Sequence, residues 1–436
     1  MKKLIFSLLA GLLTLSLAAQ KAPEPYSFKP FKVLTATPVK NQQQTGTCWA
    51  FSSSSFLESE LMRLGKGQVN LSEMFVVRHV YREKCENYVR RQGDARFGEG
   101  GLAHDLLNAV RDYGVVPEDV YPGRKDPSKP LNHGALEKNL KGLCDKFIED
   151  GKAGNLKADW MTDIDKALDA EFGPLPTQFT VGGTQFTPLS YLEFLGLHPE
   201  DYVTITSFTH HPFYAPFVLE IPDNFAYGTY YNLPLNEMMR CLNFSIQQGY
   251  TVTWDADVSN DGFSAQNGLA IVPEKDWAAK STAEQNGTFK FWEPEKDINQ
   301  EYRQQLFDRQ ITQDDHLMHV VGILDEGHSG IFYSVKNSWG EISDLKGYVY
   351  VSEDYMRLNT LSFTVNKNAL PPDVRKRLGL EPGEVKIEKQ MGPGAIPPKK
   401  GVDPAEAQPA GGRVRAGAGR TPTSATPAPK KGSKDE

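Results

Sequence analysis

Asn41-Gln42-Gln43-Gln44-Thr45-Gly46-Thr47-Cys48-Trp49-Ala50-Phe51 is a polar, glycine-bearing loop that runs straight into an apolar helical pattern. From Cys48 to Leu64, Phe51, Leu57, Leu61 and Leu64 recur at helix-like intervals, which predicts a helix whose first turn carries Cys48. A thiol at a helix start feels the positive end of the dipole, which lowers its pKa and favours the thiolate. Gln42, six residues earlier, supplies an amide donor that, with the Cys48 backbone N–H, can hold a developing oxyanion.

A thiolate nucleophile needs an imidazole partner, and the imidazole needs a group that fixes its tautomer. Downstream stand Asp315-His316 and then Lys336-Asn337-Ser338-Trp339-Gly340. Cys48, His316 and Asn337 therefore fill the three roles. His319 competes with His316, but residues three apart on a strand face opposite sides, so only one addresses Cys48.

These motifs resemble the papain superfamily of cysteine peptidases, in which a Gln, a Cys-Trp helix start, a His strand and an Asn-Ser-Trp-Gly turn make the active site. The resemblance covers roughly residues 35–365. It favours His316, because the catalytic His there opens a strand and a Gly follows six residues on, as Gly322 does here. Two departures narrow the family. Thr45 stands where a disulfide Cys is usual, and His316 lies far beyond the usual interval of about 130–150 residues after the Cys. A large insertion between the Cys and His motifs follows, which is similar to the bleomycin hydrolase and aminopeptidase C branch. Gly100-Gly101, Tyr113-Gly114-Val115-Val116-Pro117 and Phe186-Thr187-Pro188-Leu189 support that branch.

The resemblance implies an α+β, papain-like fold: a helical half at about 41–125, an inserted region at 126–230, and an antiparallel β-barrel-like half at 231–365. It implies peptide substrates, substrate contacts at Gly100, Gly101 and Trp339, and no metal or organic cofactor. Aminopeptidase action is expected, because in that branch the chain's own end lies in the cleft. An endopeptidase with an open cleft and a non-catalytic peptide-binding relative are the alternatives. A homo-oligomer is compatible with the branch, whose close relatives form hexameric rings.

Patterning outside the motif agrees with the α+β reading. Helices are expected at 72–90 with Ser72 as N-cap, at 102–113 closed by Gly114, and at 235–248. Strands are expected at 202–206, 250–254, 316–324, 331–336 and 347–351. The chain is helix-rich first and strand-rich last. From about Pro371 to Glu436, Pro, Ala, Gly, Lys and Arg dominate, which predicts a disordered tail after a catalytic domain at 20–370.

Lys2, Lys3 and the apolar run Leu4–Ala18 read as a signal peptide cut near Ala18 or Ala19, hence export to the periplasm or medium. The run is too short for a comfortable membrane span, and no second one follows. Too few residues then precede Cys48 for a long inhibitory propeptide. A net charge of -7 argues against nucleic acid as partner. Of the four cysteines, Cys85, Cys144 and Cys241 remain beside Cys48, so at most one disulfide forms, and buried free thiols are expected. His79, Glu83 and Cys85 read as part of a surface helix, His210-His211 as a loop detail, and Asp255 with Asp257 as solvated strand-end charges.

Overall fold

The computed structural model describes residues 23–380, apart from 127 and 329. The expected signal segment and the tail beyond 380 lie outside those residues. Eleven helices are described: α1 Cys48–Arg63, α2 Glu73–Arg90, α3 Ala103–Tyr113, α4 Gly134–Lys152, α5 Met161–Phe172, α6 Pro188–Leu195, α7 Leu235–Gln247, α8 Thr282–Gly287, α9 Gln300–Asp308, α10 Glu353–Asn359 and α11 Pro372–Arg377. The strands are β1 Lys29–Val33, β2 Phe179–Val181, β3 Thr184–Phe186, β4 Tyr202–Thr206, β5 Pro216–Val218, β6 Thr229–Asn232, β7 Val252–Ala256, β8 Phe263–Ser264, β9 Leu269–Ala270, β10 His316–Asp325, β11 Ile331–Lys336, β12 Tyr348–Ser352 and β13 Thr360–Asn366.

Local chemistry accounts for the elements that frame the site. Ser72 caps α2 by accepting from Phe75 N at 3.1 Å, a contact that contributes about 1 kcal/mol. Gly114 ends α3 at φ 83°, beyond the reach of most side-chain-bearing residues. β10 lies at the middle of a mixed sheet of eleven strands, in the order β5-β6-β4-β13-β7-β10-β11-β12-β9-β8, with β1 also paired to β10. Most pairs are antiparallel, whereas β4–β6 and β12–β9 run parallel.

Two large apolar clusters follow, beside a small third at Leu269, Ile271, Leu324 and Phe332. One gathers α1 to α6 around Trp49, Leu61, Val77 and Leu106; the other covers the sheet around Trp254, Met318, Tyr333 and Phe363. α1 packs across β10 and β7 between them. Residues 126–230 belong to both: α4 and α5 pack on α2, while β4 to β6 extend the sheet beside β13.

Several expectations change in three dimensions. Residues 371–380, expected to open the tail, carry α11, and Val374, Leu378 and Leu380 are buried in the sheet-side core. β13 reads Thr-Leu-Ser-Phe-Thr-Val-Asn, yet all seven residues are buried. Its polar face meets other polar groups, with Thr364 Oγ1 2.8 Å from Thr204 Oγ1 and Asn366 Nδ2 3.3 Å from Glu60 Oε2. All four cysteines are free and buried. Among the described residues no helix is long and apolar enough to cross a membrane.

Candidate active site

The loop before α1 is tied to the turn after β11. Gln42 N donates to Ser338 O at 2.8 Å, Gly340 N donates to Lys40 O at 3.1 Å, and Asn41 bridges Trp339. Gly340 stands at φ 79°, where a Cβ would lie 2.9 Å from Asn41 Nδ2, so the close approach needs glycine. These bonds bring the N-terminus of α1 to the end of β11, although the two are far apart in sequence.

His316 opens β10, and Asn337 follows the last residue of β11. His316 Nε2 lies 2.8 Å from Asn337 Oδ1, both residues being buried. Asn337 Oδ1 also accepts the Ser338 N–H at 2.7 Å, which marks that atom as the amide oxygen. The ring nitrogen facing it must then donate, so Nε2 carries the proton and Nδ1 keeps its lone pair. Trp339 covers the ring, with centroids 4.5 Å apart and planes 32° from each other.

Cys48 is buried at the start of α1, and its thiol meets the backbone N–H groups of Leu317 and Trp49. Leu317 is the residue after His316, so the thiol lies against the first residues of β10. Gln42 Nε2 donates to Thr45 O at 2.8 Å and its Oε1 accepts from Ser338 Oγ at 2.6 Å. The amide is thereby oriented with its second N–H uncommitted. Gln42, Cys48, His316, Asn337 and Trp339 thus converge.

Burial pushes the Cys48 thiol up, to about 12, against the helix-start effect expected from sequence, and Asp314 and Asp255 push the same way. Burial pushes His316 down, to about 4, with the Asn337 hydrogen bond opposing it. Each charge taken singly is disfavoured here.

Gly100 and Gly101 lie beside the start of α1. A Cβ on Gly101 would lie 3.0 Å from the Trp49 ring, while one on Gly100 would lie 2.0 Å from Asp223 Oδ2. Trp49 Nε1 donates to Glu99 O at 3.0 Å, and Lys84 Nζ donates to the carbonyls of Gly98 and Gly100. These contacts hold residues 98–101 against α1 and α2.

Three carboxyl groups that the sequence reading missed or dismissed flank this site. Asp255 and Asp257 are each 2 % exposed, so neither is a solvated strand end. Asp257 accepts from Ser259 N and Gln313 N and braces a turn. Asp255 instead lies opposite Leu317 in the β7–β10 register, and its carboxyl adjoins that of Asp314. Asp223 comes from the loop between β5 and β6. Alternation in β7 points Asp255 to the site side, but no sequence signal marks Asp223.

The other clusters are structural. His79 is buried and stacks on Tyr113 at 3.9 Å, and Glu83 accepts from the Tyr113 hydroxyl, so this is not a surface pair. His210 and His211 meet Glu220, the one metal-compatible trio among the described residues. Gln304 Nε2 faces His210 Nδ1 at 3.0 Å, and Gln304 is oriented by the Thr209 N–H on its Oε1. The His210 proton therefore sits on Nε2, toward Glu220, which makes a hydrogen-bonded pair rather than an open ligand set. His319, on the other face of β10, is fully buried with Nδ1 2.9 Å from Ser55 Oγ.

Comparison with known proteins gives the family. A model of the peptidase C1-like family matches residues 15–392. Aminopeptidase C of Lactobacillus delbrueckii subsp. lactis is 23% identical over 386 residues, covering 78% of this chain and 81% of that protein. Aminopeptidase W of the same organism is 24% identical, covering 80% and 85%. Bleomycin hydrolase of Gallus gallus is 22% identical, covering 79% and 83%. The crystal structure of PepW from Lactobacillus rhamnosis HN001 superposes with a TM-score of 0.61 at 18% identity, over 80% of this chain and 84% of that one.

Proposed function

The chain belongs to the peptidase C1-like family, in its bleomycin hydrolase and aminopeptidase C branch, and is a cysteine peptidase; from that premise we propose that Cys48, His316, Asn337 and Gln42 are its catalytic set and that it trims peptides from their free N-termini. The observation that carries this assignment is the 2.8 Å bond from His316 Nε2 to Asn337 Oδ1 beside a thiol held at Leu317. That bond leaves Nδ1 as the ring's acceptor for the Cys48 proton.

The two displaced pKa values belong together. A lone thiolate or a lone imidazolium is costly in this buried setting, whereas a thiolate–imidazolium pair lets each charge offset the other's desolvation. Cys48 Sγ attacks the peptide carbonyl as its proton passes to His316 Nδ1. The oxyanion is received by the Cys48 N–H and the uncommitted N–H of Gln42. His316 protonates the leaving amine, then takes a proton from water as it attacks the thioester. Asn337 keeps the ring in plane, and Trp339 excludes water from that bond.

The same reading includes a papain-like division into a helical half, 41–125, and a barrel-like half, 231–365, around the inserted 126–230, which the two apolar clusters support. Lys2-Lys3 and the run Leu4–Ala18 support export.

The test compares leucyl and N-blocked leucyl fluorogenic amides, with wild type and Cys48→Ala. Wild type is expected to release fluorophore from the free amine substrate and to be alkylated by iodoacetamide at Cys48. Equal turnover by Cys48→Ala would remove that residue from its role, and equal rates on blocked substrate would favour an endopeptidase.

A further inference from the structure

Helices α2 and α4 pack on one another through apolar stripes, and each stripe carries a cysteine. On α2, Tyr81, Cys85, Tyr88 and Val89 are buried; on α4, Leu136, Leu140, Cys144 and Phe147 are buried. Both sets follow the three- and four-residue spacing of a packed helix face. Polar contacts at the rim fix the register of the two helices. The Tyr88 hydroxyl donates to Asp145 Oδ1 at 3.1 Å, and Lys141 Nζ stands 4.7 Å from the centre of the Tyr88 ring. Cys85 lies one turn before Tyr88, and Cys144 lies between Lys141 and Asp145. That register sets the two cysteines opposite each other. Cys144 Sγ is 3.9 Å from Cys85 O, and the Cys85 thiol is in hydrogen-bond contact with that of Cys144.

Sequence left open which of Cys85, Cys144 and Cys241 could pair; the fold decides it. Cys85 and Cys144 share the helical core, whereas Cys241 on α7 is buried in the sheet-side core. Both members of the pair are 0 % exposed, and both are free thiols in this structure. Helix axes pack about 8–10 Å apart and Cα atoms lie about 2.3 Å off each axis, so facing Cα atoms come within roughly 4–6 Å. A disulfide spans about 4.4–6.8 Å between Cα atoms. A bond between the two sulfurs therefore needs no rearrangement of either helix.

We infer that Cys85 and Cys144 are a disulfide site, joined when the chain folds in contact with a disulfide oxidant. One cysteine thiolate attacks a sulfur of the oxidant, breaks its S–S bond and expels one thiolate, which leaves a mixed disulfide. The second cysteine attacks the protein sulfur of that bond, expels the other half of the oxidant and closes Cys85–Cys144. The two protons lost by the cysteines end on the two thiols released; the protein gives up two electrons and the oxidant gains them. Both sulfurs are sealed in the folded chain, so the exchange takes place before α4 closes on α2. The finished bond is shielded from reductants by the same packing.

The bond joins residues 59 positions apart, and a loop of that length is one whose closure takes much entropy from the unfolded chain. It also ties the inserted region to α2 beside Lys84, whose ammonium holds the Gly98 and Gly100 carbonyls. The inference goes beyond the peptidase reading and does not depend on it.

The test unfolds the purified full chain in urea with reductant, then refolds it in excess oxidised glutathione or, in parallel, in reductant alone. Each product is alkylated with iodoacetamide in denaturant, digested and mapped by mass spectrometry. The oxidised product is expected to carry no label on Cys85 or Cys144 and to yield a peptide cross-linked between them. Its melting temperature is expected about 5 °C above that of the reduced product. Label on both residues, or a bridge from either to Cys48 or Cys241, would overturn the inference. The variant Cys48→Ala/Cys241→Ser leaves no competing thiol and is refolded alongside. It is expected to lose two hydrogens in mass under the oxidant, and retention of both thiols there would overturn the inference as well.

Discussion

Two buried polar clusters lie along the Leu317–His319 side of β10, one around His319 and one around Asp255, and they differ. Around His319, Lys40 Nζ lies 2.6 Å from Glu73 Oε1 and 3.8 Å from Glu58 Oε1. Glu58 also accepts from Thr37 Oγ1 at 2.5 Å and Leu71 N at 2.9 Å. Lys336 Nζ donates to Thr37 Oγ1 at 3.0 Å and to Ser55 Oγ at 2.7 Å, and Ser55 meets His319. Lys40 Nζ also lies 3.8 Å from Glu118 Oε2, so two cations stand among three carboxylates and both ammonium groups reach oxygens. Around Asp255, the buried Asp255 Oδ1 and the Tyr230 hydroxyl stand without hydrogen-bond partners. A network in which ammonium groups meet carboxylates and hydroxyls ties α1, α2 and β11 together, whereas the Asp255 cluster contains, among the described residues, no lysine or arginine partner for that carboxyl.

The contrast can be broken first at the histidines. His316→Ala is expected to cut kcat about a thousandfold on a free-amine substrate, as loss of an acid–base group does, with thermal unfolding little changed. A loss of less than about tenfold would remove His316 from the acid–base role. Next comes Lys40→Met, which leaves Glu58 and Glu73 buried without their cation. It should destabilise the chain by about 3 kcal/mol in denaturant unfolding while turnover per folded molecule holds, since Lys40 is itself part-exposed.

A pH series sharpens the comparison on the His316 side. Burial and Asp223 push Asp314 up to about 7. The folded chain then binds more protons than the unfolded one between the ordinary carboxyl range and about pH 7. The Asp314 contribution to stability is therefore complete at low pH and is lost as pH rises to about 7. Asp314→Asn should flatten the fall in melting temperature between about pH 4 and 7, and an unaltered slope would contradict the assignment. The smallest effect is expected for His319→Gln, about 1 kcal/mol of stability with kcat/KM within about twofold, because one hydrogen bond to Ser55 is all it makes.

Much of the site was legible before any coordinates. Cys48 opens α1 because a capless polar loop precedes an apolar helical period, and Asn337 follows a short β-rich run; both facts are local. The choice of His316 over His319 needed only strand alternation and one glycine interval. β13 escaped because its polar face is buried against Thr204, Asp255 and Glu60, whereas an alternating strand usually shows one face to water. Asp255 was dismissed for the same reason. A charged residue at a strand end is normally solvated, and nothing in its neighbours told otherwise.

The order of residues along the chain determined the candidate groups, because a helix start, a strand start and a turn are short-range structures written in adjacent side chains. Only the stacking of α1 on β10 and β7 decided which charges are dry and which are matched. Burial and charge pairing depend on partners hundreds of residues apart, so the surroundings of Cys48 belong to the fold.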